Sequence, residues 1–273
     1  MSWMTAILLG IVQGLTEFLP ISSSAHLAII GQLLGQQDPG AAFTAVTQIG
    51  TELAVILYFR HDIWRIIKAW LGWVMRKVPI TDPDVRMGWL VIIGSIPIAV
   101  LGLLLEDAID ATFRNLWMVV TMLIAVGYYM ASADAGATQE RDLRQLTWTH
   151  GIIYGFAQAC ALMPGVSRSG ATITAGLIMG YTREAAARYS FLLAIPAVLA
   201  SGLYKLKDIG SSTVAWPQTI VATLIAGGVG VAVIHWLLKW ISTNRFLPFV
   251  IYRFVFAAFV AIALLTGILQ PVA

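Results

Sequence analysis

Two short clusters of polar residues interrupt an otherwise apolar chain. The first runs from Gln13 to His26 and holds an amide (Gln13), a carboxylate (Glu17), three successive hydroxyls (Ser22, Ser23, Ser24) and an imidazole (His26). The second runs from Pro164 to Thr172 and places Arg168 between Ser167 and Ser169, followed by Gly170 and Thr172. Gln13 and Glu17 are four apart and share one helix face. Serines behind Pro20 suit the start of a new helix, where free N–H groups attract phosphate oxygens. Arg168 brings a planar fork of donors that fits phosphate bidentately, and its alternative partner is Glu17 itself. Gly165 and Gly170 let backbone approach a ligand closely.

Together these groups ask for a phosphate-bearing molecule with a membrane-soluble tail, a diphosphate better than a monophosphate. Glu17 can sit beside phosphate oxygens if a divalent cation, Mg²⁺ or Ca²⁺, lies between them. Hydrolysis then needs a nucleophile, Ser23 or a water, and a base, for which His26 is the candidate. Arg168 and the Ser167–Thr172 loop would hold the charge spreading over the transferred phosphoryl group. Gln13, Ser22, Ser24, Ser167, Ser169, Gly170 and Thr172 are the phosphate-binding candidates around this centre.

These clusters must be positioned by a membrane protein. Of 273 residues 59% are hydrophobic and only 11% charged, against about 25% charged in soluble proteins. With mean hydropathy +0.81, a cytosolic enzyme, a secreted disulfide scaffold and a disordered chain are excluded. A single cysteine, Cys160, cannot form an intrachain bridge. The N-terminus lacks the basic region of a cleavable signal peptide, since its first charge is Glu17. The expected class is an all-α polytopic membrane protein. Six spans are expected at Ala41–Phe59, Met87–Leu105, Leu116–Ala131, Ala186–Leu203, Thr219–Leu238 and Pro248–Leu269. His61–Val78, with tryptophans among basic residues, reads as a helix lying in the interface.

The clusters themselves sit in Met4–Leu34 and His150–Tyr181, whose halves are too short to cross and read as re-entrant hairpins. Loop charge sets the sides. Arg60, Arg65, Lys68, Arg76, Lys77, Arg86, Arg141, Arg144, Arg183, Arg188, Lys239 and Arg245 fall on one side, the cytoplasmic, against Arg114, Lys205 and Lys207. This asymmetry accounts for the net charge of +3, and no nucleic-acid partner is expected. Both termini come out on the outer side, and the hairpins enter from opposite faces. Each hairpin is followed by a span, Phe43–Tyr58 and Tyr189–Tyr204, the mark of an inverted-topology repeat. The organisation expected is one membrane domain over 1–273: a first half of about 1–115, a linking span of about 116–131 and a second half of about 149–273.

The segments Glu17-Phe-Leu-Pro-Ile-Ser-Ser-Ser-Ala-His26 and Pro164-Gly-Val-Ser-Arg-Ser-Gly-Ala-Thr172 resemble the two signature segments of the bacterial undecaprenyl-diphosphate phosphatases of the bacitracin-resistance type. The resemblance extends through Phe43…Gln48-Ile-Gly50, Arg183…Phe191-Leu-Leu-Ala-Ile-Pro196 and Pro248-Phe249…Tyr252-Arg253. It implies hydrolysis of undecaprenyl diphosphate, recycling the lipid carrier of cell-wall synthesis at the outer face of the inner membrane with a divalent metal. By motif position it makes Glu17 and His26 essential, Ser23 the nucleophile, Arg168 the phosphate clamp, and Ser167 and Thr172 accompanying hydroxyls. The family pattern has Glu or Gln at the first position, and Gln13 leaves Glu17 as the main charged metal ligand. Membrane lipids are the surroundings, and a homodimer is left open. The rival function is a transporter or flippase of a polyprenyl phosphate lipid, which the architecture favours but which needs no base beside a hydroxyl. Glu52 stands outside the signature, with the same cavity or Arg253 as its alternative surroundings. Gly227, Gly228 and Gly230 read as helix-packing glycines.

Overall fold

The computed structural model describes residues 1–35, 41–105, 115–205 and 215–272, and these form eleven α-helices with no strand among them. They are α1 Trp3–Thr16, α2 Ser23–Leu33, α3 Ala41–Tyr58, α4 Arg60–Val74, α5 Pro83–Leu104 and α6 Leu116–Gly136, then α7 Trp148–Ala159, α8 Arg168–Ile178, α9 Arg183–Lys205, α10 Trp216–Ile241 and α11 Leu247–Leu265. Local sequence sets the starts. Ser2, Asp82, Asn115 and Thr147 each cap a helix through a side-chain oxygen, and Pro83 takes the first position of α5.

Five helices, α5, α6, α9, α10 and α11, are long and apolar enough to cross a membrane. The remaining expected span, α3, has 18 residues, about 27 Å of helix. The third span runs to Gly136, beyond the Ala131 at which hydropathy alone ended it. Its last turn carries Asp134, which pairs with Arg183 at 2.6 Å and accepts the Phe246 N–H at 2.9 Å. Arg114 and Lys207, from the sparsely charged side, lie outside the described residues, as does the side chain of Lys205.

Both hairpins form as expected, α1 with α2 and α7 with α8. Their packing repeats across the chain. Helices α1 and α3 lie on α10, while α7 and α9 lie on α5. Each hairpin is therefore braced by a span from the other half of the sequence. Glycine permits the approach: a Cβ on Gly14 would sit 2.7 Å from the Ala226 carbonyl oxygen, and one on Gly155 would sit 2.6 Å from that of Gly94. Gly227 and Gly230 face Gly50 and Phe18 in the same tight seam. The amphipathic α4 packs on α5 through Trp70 and Trp73, whose rings meet Trp89 edge-on, and leaves Trp64 exposed. The main core joins Phe18, Tyr154, Tyr189, Leu193, Ile234 and Phe246 beneath the hairpin tips.

Candidate active site

The two breaks adopt the same local geometry. Ser22 precedes α2 at φ 73° and Ser167 precedes α8 at φ 69°, both in the left-handed region that costs a non-glycine residue energy. Such strain persists only where surrounding contacts enforce it. Here the enforcing group is Arg253 of α11. Its guanidinium is fully buried and donates to five carbonyls: Pro20 at 3.0 Å from the first tip, Gly165 at 2.9 Å and Val166 at 3.3 Å from the second, and Met122 and Leu123 at 3.0 Å from α6. Backbone groups that the breaks free from helical bonding are thus satisfied inside protein, as membrane depth requires. Glu52 was expected to lie in the cavity or pair with Arg253; every hydrogen bond described for Arg253 goes to backbone instead. A guanidinium serves here because one planar fork reaches several segments at once.

The clamp brings Ser23 and Arg168 together across Glu17. Glu17 accepts from Ser23 Oγ at 2.7 Å and Gln13 Nε2 at 2.8 Å through Oε2, and from Arg168 Nη2 at 2.7 Å through Oε1. Its two oxygens thus accept from three donors, one of them cationic. The group forms the polar end of a cavity of about 690 Å³. Glu17, Ser22, Ser23, Ser24, Ser167 and Arg168 face that cavity, and its other walls are apolar stretches of α5 and α9. Gln48 also lines it, a residue within the segments that carry the family resemblance but given no role from the sequence.

Other expected site residues stand behind this front. Gln13 is buried against Glu17. Ser169 donates to the Leu19 carbonyl at 3.1 Å, tying one tip to the other. The Gly170 N–H is capped by Ser167 Oγ at 3.2 Å, and Thr172 Oγ1 donates to the Arg168 carbonyl at 2.7 Å. The hydrogen bonds of His26 do not include Ser23. Its Nδ1 donates to the Ser22 carbonyl at 2.7 Å, which leaves Nε2 to accept from the Tyr252 hydroxyl at 2.7 Å. The ring stacks on Phe256 with centroids 4.1 Å apart. Tyr252 and Phe256, more than two hundred residues away, carry no local signal of that contact.

Three buried oxygens near the centre have no donor: Oε1 of Gln13 and both carboxylate oxygens of Glu52. Glu52 Oε2 lies 3.9 Å from Arg168 Nη2, and Arg168 Nη1 has no partner. Among the described residues no group of three or more His, Cys, Asp or Glu side chains gathers as a preformed metal cage. A few buried acceptors without donors are nevertheless the chemistry a hard divalent cation satisfies, completed by substrate phosphate.

Spans, broken hairpins and a charged centre at the head of an apolar cavity define an integral, multi-pass membrane protein built to hold an anionic headgroup. Its membership is specific: residues 6–259 match the model of the bacitracin resistance protein BacA, and the chain belongs to that family. It is 63% identical over 258 residues to the undecaprenyl-diphosphatase of Arthrobacter sp. (strain FB24), covering 92% of this chain and 90% of that one. With its counterpart in Micrococcus luteus it shares 61% identity, covering 93% and 94% of the two chains. With undecaprenyl-diphosphatase 2 of Streptomyces coelicolor it shares 55% identity, covering 99% and 98%.

Proposed function

We propose that the protein hydrolyses undecaprenyl diphosphate to the monophosphate and inorganic phosphate, as its relatives are named for doing. The observation carrying this reading is the 2.7 Å bond from Ser23 Oγ to Glu17, with Arg168 on the other oxygen of the same carboxylate. Translocation alone would need no hydroxyl poised on a base. The apolar walls of the cavity suit a polyprenyl tail, and its polar end suits the diphosphate. Loop charge puts the Leu103 and Tyr204 ends of the cavity-lining helices on the outer side, which supports a site open toward the outer face, and the family resemblance implies the inner membrane.

In the mechanism, Arg168 exchanges Glu17 for oxygens of the terminal phosphate, using the free Nη1 as well as Nη2. The first N–H groups of α2, which no Ser22 side-chain cap occupies, face the same anion. Ser23 Oγ attacks the terminal phosphorus as its proton passes to Glu17. The bond from that phosphorus to the bridging oxygen breaks, and the lipid monophosphate leaves with the electron pair. Glu17 gives that proton to the departing lipid phosphate. It then takes one from the water that attacks the serine phosphate and passes it to Ser23 Oγ, which leaves as the restored hydroxyl while inorganic phosphate is released. A divalent cation, Mg²⁺ or Ca²⁺, held by Glu17 with the diphosphate, would offset the charge on the bridging and leaving oxygens. His26 supports this centre indirectly, through the Ser22 carbonyl that precedes the nucleophile.

The test is phosphate release from a long-chain polyprenyl diphosphate by purified protein, with Mg²⁺, Ca²⁺ or EDTA. Release that needs the cation and vanishes in Glu17→Ala and Arg168→Ala is expected. A trapped, acid-stable serine ester supports Ser23, whereas direct ¹⁸O uptake from solvent without an adduct moves the attack to water. Folded protein that binds substrate without releasing phosphate would end the reading.

A further inference from the structure

Glu52 sits one turn beyond Gln48 on α3, fully buried, as the one acidic or basic residue of that helix. A protonated structural carboxyl would donate its hydrogen to a nearby acceptor, and an ionised one would gather donors. Neither is found: both oxygens are bare, and the nearest cation, Arg168 Nη2, is already committed to Glu17 at 2.7 Å. Gln13 presents a parallel case on α1. Its amide orientation is fixed, because Glu17 Oε2 needs the N–H₂ side, so its carbonyl oxygen is the atom left without a donor. The neighbourhood of Arg168 therefore holds two carboxylates, Glu17 and Glu52, and an amide oxygen, an excess of buried acceptors over donors.

The geometry points to Glu52 as the second carboxylate of a divalent-cation site that also takes Glu17 and the Gln13 carbonyl oxygen. Of the three ligands Glu17 lines the headgroup cavity, and Gln13 and Glu52 are fully buried beside it. The site rests on the phosphatase reading only for its use, since its ligands are present without substrate. Gln13 contributes a neutral oxygen, so the negative charge a hard cation prefers comes from a different helix, four residues past the Gln48 that lines the cavity. Mg²⁺ or Ca²⁺ held there would compete with Arg168 for Glu17 and leave the guanidinium for phosphate. Oxygen ligands, one or two of them carboxylates and the rest water or phosphate, are the usual surroundings of such ions.

The experiment titrates full-length protein in detergent with Mn²⁺ and follows loss of the free-ion electron paramagnetic resonance signal, with no substrate present. Wild type is expected to bind and to release the ion to EDTA. Glu52→Gln should weaken binding by no less than the roughly tenfold that loss of a merely supporting residue costs. Its melting temperature in EDTA should match or exceed that of wild type, because a neutral amide replaces a buried acid that accepts no hydrogen bond. Adding Gln13→Glu to Glu52→Gln restores the carboxylate count and should restore binding. Wild type that binds no Mn²⁺, E52Q that binds as wild type does, or a double variant that stays weak while melting normally would each overturn the assignment. Because binding is read without turnover, a wild type that binds Mn²⁺ but releases no phosphate would sink the phosphatase reading and leave the ion site standing.

Discussion

Arg253→Met isolates what joins the two halves of the site. Methionine keeps much of the side-chain volume and removes every donor. The Met122 and Leu123 carbonyls lie within α6 and keep acceptor roles in its helix. Those of Pro20, Gly165 and Val166 belong to the tips and lose the guanidinium that satisfied them. At about 1–3 kcal/mol for each buried acceptor left bare, the loss reaches about 3–9 kcal/mol. Against this stands the cost of burying a guanidinium with no carboxylate among its hydrogen-bond partners, several kcal/mol that the variant no longer bears. A net destabilisation of about 1–5 kcal/mol remains. The larger effect is on turnover. Ser23 and Arg168 belong to different tips, and a displacement of about 1 Å between reacting groups costs about 100-fold in rate. Thermal unfolding followed by tryptophan fluorescence and phosphate release from polyprenyl diphosphate read the two effects separately. Arg253→Lys, with three donors at one point, should fall between wild type and R253M in both. An R253M protein that melts and turns over as wild type does would refute the idea that this residue holds the site together.

Glu17→Gln keeps shape but turns a general base into an amide, and should cost about 10²–10⁴-fold in kcat, measured as phosphate release at saturating substrate. Ser23→Ala should abolish both turnover and any acid-stable phosphoserine trapped from labelled substrate, with substrate binding retained. His26→Ala should lower kcat and melting temperature together, since it loses the bond to the Ser22 carbonyl and the stack on Phe256. The pH dependence of the residual rate should keep its wild-type form; loss of its acidic limb would instead make His26 the base.

Much of this was legible because lipid makes polar residues conspicuous. Pro20 and Pro164, with serines behind them, could not continue a span, so hairpins and their tips followed from the chain alone. Glu17, Ser23 and Arg168 stood out for the same reason, and the structure brings all three within hydrogen-bond reach of one another through the Glu17 carboxylate. What stayed hidden depends on partners distant in sequence. Arg253 reads as one charge in an apolar helix, and nothing near it says that its donors go to carbonyls of two tips more than eighty residues off. His26 reads as a base beside a hydroxyl because it follows Ser23 by three residues, and the contact of its Nε2 with Tyr252 of α11 is not legible in the chain. The third span was cut short at Ala131 because Asp134 breaks its hydropathy, and that charge is neutralised by Arg183 of α9.

The repeat also explains why the proposed nucleophile and clamp meet. Ser23 and Arg168 hold the same position in the two hairpins: the first helical residue after a serine with positive φ. Two half-helix starts thus converge, each contributing roughly half a positive charge from its free N–H groups. The halves have diverged in how they use that end. In α8 the Ser167 side chain caps the Gly170 N–H, and the anion receptor is the Arg168 side chain. In α2 Ser22 makes no such cap, so backbone N–H groups remain open beside the Ser23 hydroxyl. One end supplies fixed positive charge on a side chain that can move, and the other supplies donors that cannot move next to the attacking oxygen. In the proposed reaction a diphosphate held between them would present its terminal phosphorus to Ser23 and lay its tail against the apolar walls of α5 and α9. Hydrolysis in this architecture follows from placing unlike residues at equivalent positions of a repeat whose two ends already attract phosphate.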